Sequence, residues 1–178
     1  MTLDDVQVGE APLFHNATAD VDEAERGLGT RFPAGYRNYI ARFGEGVLAD
    51  YLRVYPPHQI LEGDNNVHAW RERIDEYWFW DAGKDVLTKE RTLQCVIVAD
   101  TLDGDEIVFH PSEPDRLYVL PHDDEEIHEA GDGLTAAIEW LLTAGVLTEP
   151  VDRRNFDPFD GRASTGDGDD LDADDEDD

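Results

Sequence analysis

The chain has 178 residues, of which 40% are hydrophobic, so it is long enough for one domain with a substantial core and terminal segments. It carries 43 acidic and 14 basic side chains, for a net charge of −29. It therefore lacks the basic stripe that phosphate contacts require, and this disfavours direct nucleic-acid binding. No apolar run approaches the roughly 20 residues that cross a bilayer, and MTLDDVQVGE has neither the basic nor the apolar region of a secretory signal. We therefore expect a cytoplasmic protein with no membrane contact.

The excess of acids has three possible origins. Nine of the acids lie in residues 164–178, and the others are distributed along the rest of the chain, which has only two lysines. A highly charged surface that stays hydrated in molar salt is typical of halophilic proteins, because salt screens its self-repulsion. The acids could also bind a basic partner, or reflect codon bias alone. The wide distribution leads us to favour adaptation to a salt-rich cytoplasm.

Two helices are predicted near the N-terminus. In TADVDEAERGLGTRF, Asp20 is expected to cap the first helix, and Val21 and Ala24 fall on one face at helical spacing. Pro33 is expected to open the second helix in its first turn, where its missing N–H costs nothing. The second helix should end at Gly44. Its apolar stripe, at spacings of three and four residues, consists of Tyr36, Tyr39, Ile40 and Phe43.

The periodicity then changes from helix to strand. LRVYPP predicts a short strand, and residues 67–78 predict a third helix. QCVIVADTLDGDEIVFHP places two apolar runs around a turn at Asp103 and Gly104, which is typical of a β-hairpin, and DRLYVLP predicts another strand. GDGLTAAIEWLLTAG predicts a last helix, capped by Asp132 and ended by Gly145.

This order predicts an α+β domain, in which N-terminal helices and a C-terminal helix pack on a mostly antiparallel β-sheet. Residues 1–17 would lead into the domain, and residues 18–145 would form it. Residues 146–162 would be a C-terminal extension. Residues 163–178 are acidic and of low complexity, so we expect a disordered tail.

We expect no catalytic residue, no metal and no cofactor. PHDDEEIHEAG places His122 and His128 among acids, but not at the i, i+4 spacing of one helix face. A solvated loop is therefore favoured over a metal-dependent hydrolase, which stays as a third alternative. Cys95 lies in an apolar run without a neighbouring base, so we interpret it as a small buried hydrophobe.

Three segments together resemble the SUKH superfamily of immunity and regulator proteins. They are VDEAERGLGTRFPAGYRNYIARFGEG, the strand and Gly-Asp turn of VIVADTLDGDEIVFH, and the helix AAIEWLL. The resemblance covers about residues 18–145. It departs from the family pattern in the turn after the second helix, where many members have Asn-Gly. The matching residues are Leu28, Gly29, Phe32, Pro33, Tyr36, Arg37, Phe43, Gly44, Gly46, Gly104 and Asp105.

The resemblance implies a domain without catalytic activity. Bacterial members are typically immunity proteins that bind and block a cognate toxin, often a nuclease, and eukaryotic relatives act as regulators or scaffolds. We therefore expect stoichiometric binding to a protein partner, a basic toxin domain. The alternative is a regulatory or scaffold interaction module whose acidity is only halophilic adaptation. The predicted partner-binding residues are Asp103, Asp105 and Glu106 at the hairpin turn and Asp123, Asp124, Glu125 and Glu126 before the last helix.

Overall fold

The structure is a computed structural model that describes residues 3–10, 13, 18–81 and 85–159. The fold is α+β, as the sequence predicts, with helices packed on a mostly antiparallel sheet. The predicted tail, residues 163–178, lies outside the described residues. No helix in the described part of the chain has the length and apolar character needed to span a membrane.

Helices and strands follow one another in groups along the chain. Two short 3-10 turns, Leu3–Asp5 and Trp78–Asp81, accompany six helices in the described residues. The helices are α1 (Thr18–Leu28), α2 (Tyr36–Phe43), α3 (Pro57–Glu62), α4 (Val67–Asp75), α5 (Lys89–Thr92) and α6 (Leu134–Thr143). The strands are β1 (Gln7–Val8), β2 (Gly46–Leu48), β3 (Leu52–Val54), β4 (Val96–Thr101), β5 (Glu106–Phe109), β6 (Arg116–Leu120), β7 (His128–Asp132) and β8 (Asn155–Pro158).

The described strands form one sheet in the order β1-β8-β2-β3-β4-β5-β6-β7. The pair β1 and β8 is parallel and every other pair is antiparallel. Every residue of β4 is buried, so both faces of the sheet are covered at its centre. The predicted hairpin is confirmed as β4 and β5, and DRLYVLP supplies β6.

The aromatic stripe of α2 is buried as its spacing predicts. Tyr36, Tyr39 and Phe43 are each at most 2% exposed. The ring of Phe43 lies 5.0 Å from the ring of Phe156, a residue of β8 that the sequence pattern left unassigned. Residues 155–158, in the segment interpreted as a C-terminal extension, therefore contribute a strand to the sheet. That strand packs closely on β2, because a Cβ on Gly46 would lie 2.5 Å from the Phe156 ring.

The predicted helix starts and one helix end were wrong in detail. Helix α1 begins at Thr18, so Asp20 lies in its first turn and not at its cap. Helix α2 begins at Tyr36, because the backbone first makes a turn in which the Tyr36 N–H bonds to the Pro33 carbonyl. Helix α4 ends at Asp75, before the predicted limit of residue 78, and the indole N–H of Trp80 donates to the carbonyl of Ile74 near that end.

The predicted cap of α6 was wrong because segments distant in the sequence take the place of a side-chain cap. Asp132 is the last residue of β7, and no side chain caps the helix. The N–H of Leu134 instead donates to the carbonyl of Ala34, at 2.8 Å, and the N–H of Gly133 donates to the carbonyl of Asp115. Backbone groups from the turn before α2 and from the β5–β6 loop therefore replace the expected side-chain cap.

Asp115 ties this junction together. Its carboxylate accepts two hydrogen bonds from Arg31, both 2.8 Å long, and one from the N–H of Ala34 at 2.8 Å. The hydrogen bonds from Arg31 and from the Ala34 N–H lower the pKa of Asp115 to about 2. The ionised carboxylate is therefore the form that the folded state prefers.

We expect Asp115→Asn to lower the midpoint of thermal unfolding at pH 7 by roughly 2–4 °C, since it removes charge-assisted bonds at one junction. A carboxyl whose pKa is depressed by folding stabilises the protein above its unfolded pKa of about 3.9. That contribution is lost as the pH falls toward the folded value of about 2. The difference between parent and variant should therefore shrink between about pH 4 and pH 2. Thermal melts recorded across this range test it, and a difference that does not change with pH would contradict it.

Candidate partner-binding face

The turn between β4 and β5 and the loop between β6 and β7 meet at one end of the sheet. The buried carboxylate of Asp105 joins them: it accepts hydrogen bonds from the hydroxyl of Thr101 at 2.9 Å and from the N–H of His122 at 2.9 Å. The hydroxyl of Tyr51 lies 3.4 Å from the same carboxylate. Gly104 has a φ of 96°, and a Cβ there would lie 3.2 Å from the His122 ring, so glycine suits both the turn and the contact.

The structure therefore brings together two acidic segments that the sequence singled out separately. Asp103 lies in the turn, and residues 123–126 lie in the loop. All five side chains are exposed, and Asp123 is 94% exposed. We call Asp103 and residues 123–126 the acidic loop pair.

The two remaining predicted residues point into the protein. Asp105 is 6% exposed and makes the hydrogen bonds described above. The Glu106 side chain is 13% exposed, and its carboxylate accepts hydrogen bonds from Arg73 of α4, the shorter at 2.6 Å. These two acids hold the face together, and partner contact by all seven residues stays a prediction.

A polar network crosses the sheet beside the acidic loop pair. Arg53 of β3 donates two hydrogen bonds to Asp100 of β4, at 2.7 and 2.6 Å, and the hydroxyl of Tyr55 donates a third at 2.7 Å. The amide of Asn65 donates to the Tyr55 hydroxyl at 3.0 Å and accepts from Arg73 at 3.3 Å. Since Arg73 also binds Glu106, the network continues to β5.

Local sequence patterns did not predict this network. Its signal was a charged residue inside each of two short apolar strands, LRV and VIVADT. Such charges are buried only when paired, but the partners become visible only once the alignment of β3 with β4 places Arg53 opposite Asp100.

The pKa values of the groups in and beside this network favour fixed hydrogen-bond donors over groups that transfer protons. The hydrogen bond to Asp100 raises the pKa of Arg53, and burial followed by the nearby Asp100 charge raises the pKa of Tyr55. Burial likewise raises the pKa of Tyr51 to about 12. At neutral pH the arginine is charged and both tyrosines are protonated donors, so the arrangement suits binding and positioning.

Two clefts open on either side of this network. The larger has a volume of about 330 Å³, and we call it the charged cleft. The smaller, of about 150 Å³, is lined by Arg73, Tyr77, Phe79, Leu120 and His122. Charged and polar residues dominate the lining of the charged cleft, chiefly Glu45, Arg53, Tyr55, Asp64, Asn65 and Asp100.

The remaining candidates from the sequence are Cys95 and the two histidines, His122 and His128. Burial raises the pKa of Cys95 to about 12, so the thiol stays protonated at neutral pH. Of the two histidines considered as metal ligands, His128 lies with Asp124 and Glu126, with ligand atoms within 4.8 Å of one another, and His122 is not part of this group. Two of these three ligands are exposed carboxylates on the loop, and the ring of His128 also packs 5.7 Å from Trp140.

We expect Tyr55→Phe to lower the free energy of unfolding by about 1–2 kcal/mol, because it leaves Asn65 without its acceptor and Asp100 with one donor fewer. Tyr39→Phe is the matched control, since the buried Tyr39 hydroxyl has no hydrogen-bond partner among the described residues. That variant should change stability by less than about 0.5 kcal/mol. Urea unfolding measures both, and equal losses would contradict a structural part for the network.

A model of the SMI1 / KNR4 family (SUKH-1) matches residues 16–140. This range contains the acidic loop pair, the polar network and most of the sheet, but not β1 or β8. Comparison with curated proteins gave no match, and comparison with solved structures gave none.

Proposed function

Because the chain belongs to the SMI1 / KNR4 family (SUKH-1), we propose that it is an immunity protein that neutralises a cognate toxin by stoichiometric binding. The family is generally a non-catalytic, immunity-type family. We further propose that the partner is a basic toxin domain, such as a nuclease, and that the encounter takes place in the cytoplasm.

The acidic loop pair is the observation that carries this proposal. Five exposed carboxylates come together at one end of the sheet, and the buried Asp105 fixes the two segments relative to each other. A nuclease must hold phosphates with basic residues. A preformed acidic face can therefore cover that basic surface, and long-range attraction would speed association.

The proposal is tested by co-expressing the toxin-like product of a neighbouring gene in a sensitive host, with and without this protein. We expect growth to be restored only when both proteins are present. Purified protein should also bind that product at a one-to-one ratio. Failure of rescue with every neighbouring gene product would contradict the proposal.

A charge-matched pair of variants tests the face itself. The double variant Asp103→Lys/Asp123→Lys should bind the neutralised toxin about tenfold more weakly, mainly through slower association. Glu149→Lys/Asp152→Lys changes the net charge equally at exposed positions outside both clefts. Surface plasmon resonance at one ionic strength should show near-parental binding for this control. Equal weakening in both variants would mean that binding depends on the total charge of the protein and not on this face.

The second candidate is a regulatory or scaffold module whose acidity is only halophilic adaptation. It is favoured by the spread of acids over the whole chain and by the presence of only two lysines. It predicts many endogenous partners in pull-downs and no toxin gene nearby.

Salt dependence separates the two interpretations of the charge. If the acids are halophilic, the midpoint of thermal unfolding should rise markedly between low salt and molar KCl, because salt screens the repulsion of a net charge of −29. The same melts should be recorded for the parental protein and for the two lysine double variants. The two variants serve as charge-matched comparisons, because each removes the same amount of negative charge. A midpoint that stays flat would contradict halophilic adaptation.

A further inference from the structure

A cluster of three side chains, where the loop between β6 and β7 enters β7, contains the ligand types of a metal site. Asp124, Glu126 and His128 alternate along the chain, and each offers one ligand atom within 4.8 Å of the others. We propose that this cluster binds one divalent transition-metal ion such as Zn²⁺. The inference does not rest on the proposed function. It departs from the expectation of no metal, which depended on the spacing of His122 and His128.

The ring of His128 supplies the observation that points to a ligand. Its Nε2 atom is buried and has no hydrogen-bond partner among the described residues. The side chain as a whole is 17% exposed, so that exposure belongs to other atoms of the side chain. Oδ2 of Asp124 lies 3.9 Å from Nε2, which is too long for a hydrogen bond. A buried polar atom without a partner is unfavourable, and an ion held between this nitrogen and the carboxylates would satisfy it.

The two carboxylates of the cluster are not neutralised by a basic side chain. Neither Asp124 nor Glu126 pairs with a lysine or an arginine in the part of the chain that the structure describes. Glu129, by contrast, lies 3.9 Å from Arg116. Oδ1 of Asp124 accepts the N–H of Glu126 at 3.2 Å, so Oδ2 is the oxygen that faces the imidazole. Both side chains are exposed, and an ion can therefore reach them from solvent.

The cluster combines one fixed ligand with two adjustable ones. The ring of His128 packs 5.7 Å from the ring of Trp140 on α6, and its backbone lies in β7, paired with β6. Ligand atoms that share one tetrahedral ion, each about 2.0–2.2 Å from it, lie roughly 3.4 Å apart. The ligand atoms of the cluster must therefore approach one another by roughly 1–1.5 Å, which rotation of the exposed acids allows.

The donor set selects the class of ion. An imidazole nitrogen suits zinc and its neighbours among the transition metals, whereas magnesium and calcium prefer sites made of oxygen atoms alone. Three protein ligands also leave a coordination position for water. Magnesium keeps several of its waters and demands a near-ideal octahedron, so it gains little from one histidine and two carboxylates. Zn²⁺ is therefore the probe, and Mg²⁺ is the matched control ion.

The test titrates the full-length protein with ZnCl₂ in isothermal titration calorimetry, at neutral pH and at high ionic strength to screen loose attraction to other acids. We expect one saturable site for Zn²⁺ and no saturable binding of Mg²⁺. In NMR, Zn²⁺ should shift the backbone amides of residues 124–128 and the indole N–H of Trp140. Equal affinities for the two ions, or saturable zinc binding that leaves residues 124–128 unshifted, would overturn the proposal.

Three variants locate the site. His128→Gln removes the imidazole ligand and should weaken zinc binding about tenfold or more. His122→Gln is the matched control, because this exposed histidine lies in the same loop but outside the cluster, and it should retain the parental affinity. Asp124→Asn changes an exposed ligand without touching the contact between His128 and Trp140, and it should weaken binding about fivefold. Equal affinities of His128→Gln and His122→Gln, or parental affinity in Asp124→Asn, would overturn the site.

Discussion

The buried carboxylate of Asp105 is the constraint on which the candidate face depends. Without hydrogen bonds, a buried charge costs several kcal/mol or more. Here the hydroxyl of Thr101, at the end of β4, and the N–H of His122, in the loop between β6 and β7, supply the donors. The exposed acids of the turn after β4 and of this loop repel one another. The hydrogen bonds that the buried Asp105 carboxylate requires therefore also hold the two mutually repelling segments in one arrangement.

The polar network extends this principle across the sheet. Arg53, Asp100, Glu106 and Arg73 are paired, each at a distance below 3 Å in its shorter contact, and the tyrosine hydroxyls stay protonated. Paired charges of this kind position a surface but do not supply a free base or nucleophile. Membership in the SMI1 / KNR4 family and this pairing both favour a protein that works by contact. The acidic exterior would then decide which partners approach.

The sequence predicted what local patterns determine and missed what the pairing of distant segments determines. The stripe of α2, the hairpin at Gly104 and the burial of Cys95 follow from periodicity and turn chemistry, and the structure confirms them. Strands β1 and β8 contain two and four residues and have no clear alternation, so only their pairing reveals them. The predicted cap of α6 was wrong because backbone groups of Ala34 and Asp115 take the place of the expected side chain. Partner contact by the seven predicted acids stays a prediction: five of them are exposed, whereas the burial of Asp105 and the pairing of Glu106 with Arg73 depend on packing that the sequence does not reveal.

Hydrogen–deuterium exchange of the complex with the neutralised toxin tests the central claim most directly. If the end of the sheet is the partner-binding face, binding should slow exchange in residues 102–105 and 121–127. The segment from residue 146 to residue 152, which contains the control positions, should exchange as in the free protein. Protection confined to that segment or to α1, with the acidic loop pair exchanging at its free rate, would contradict the account.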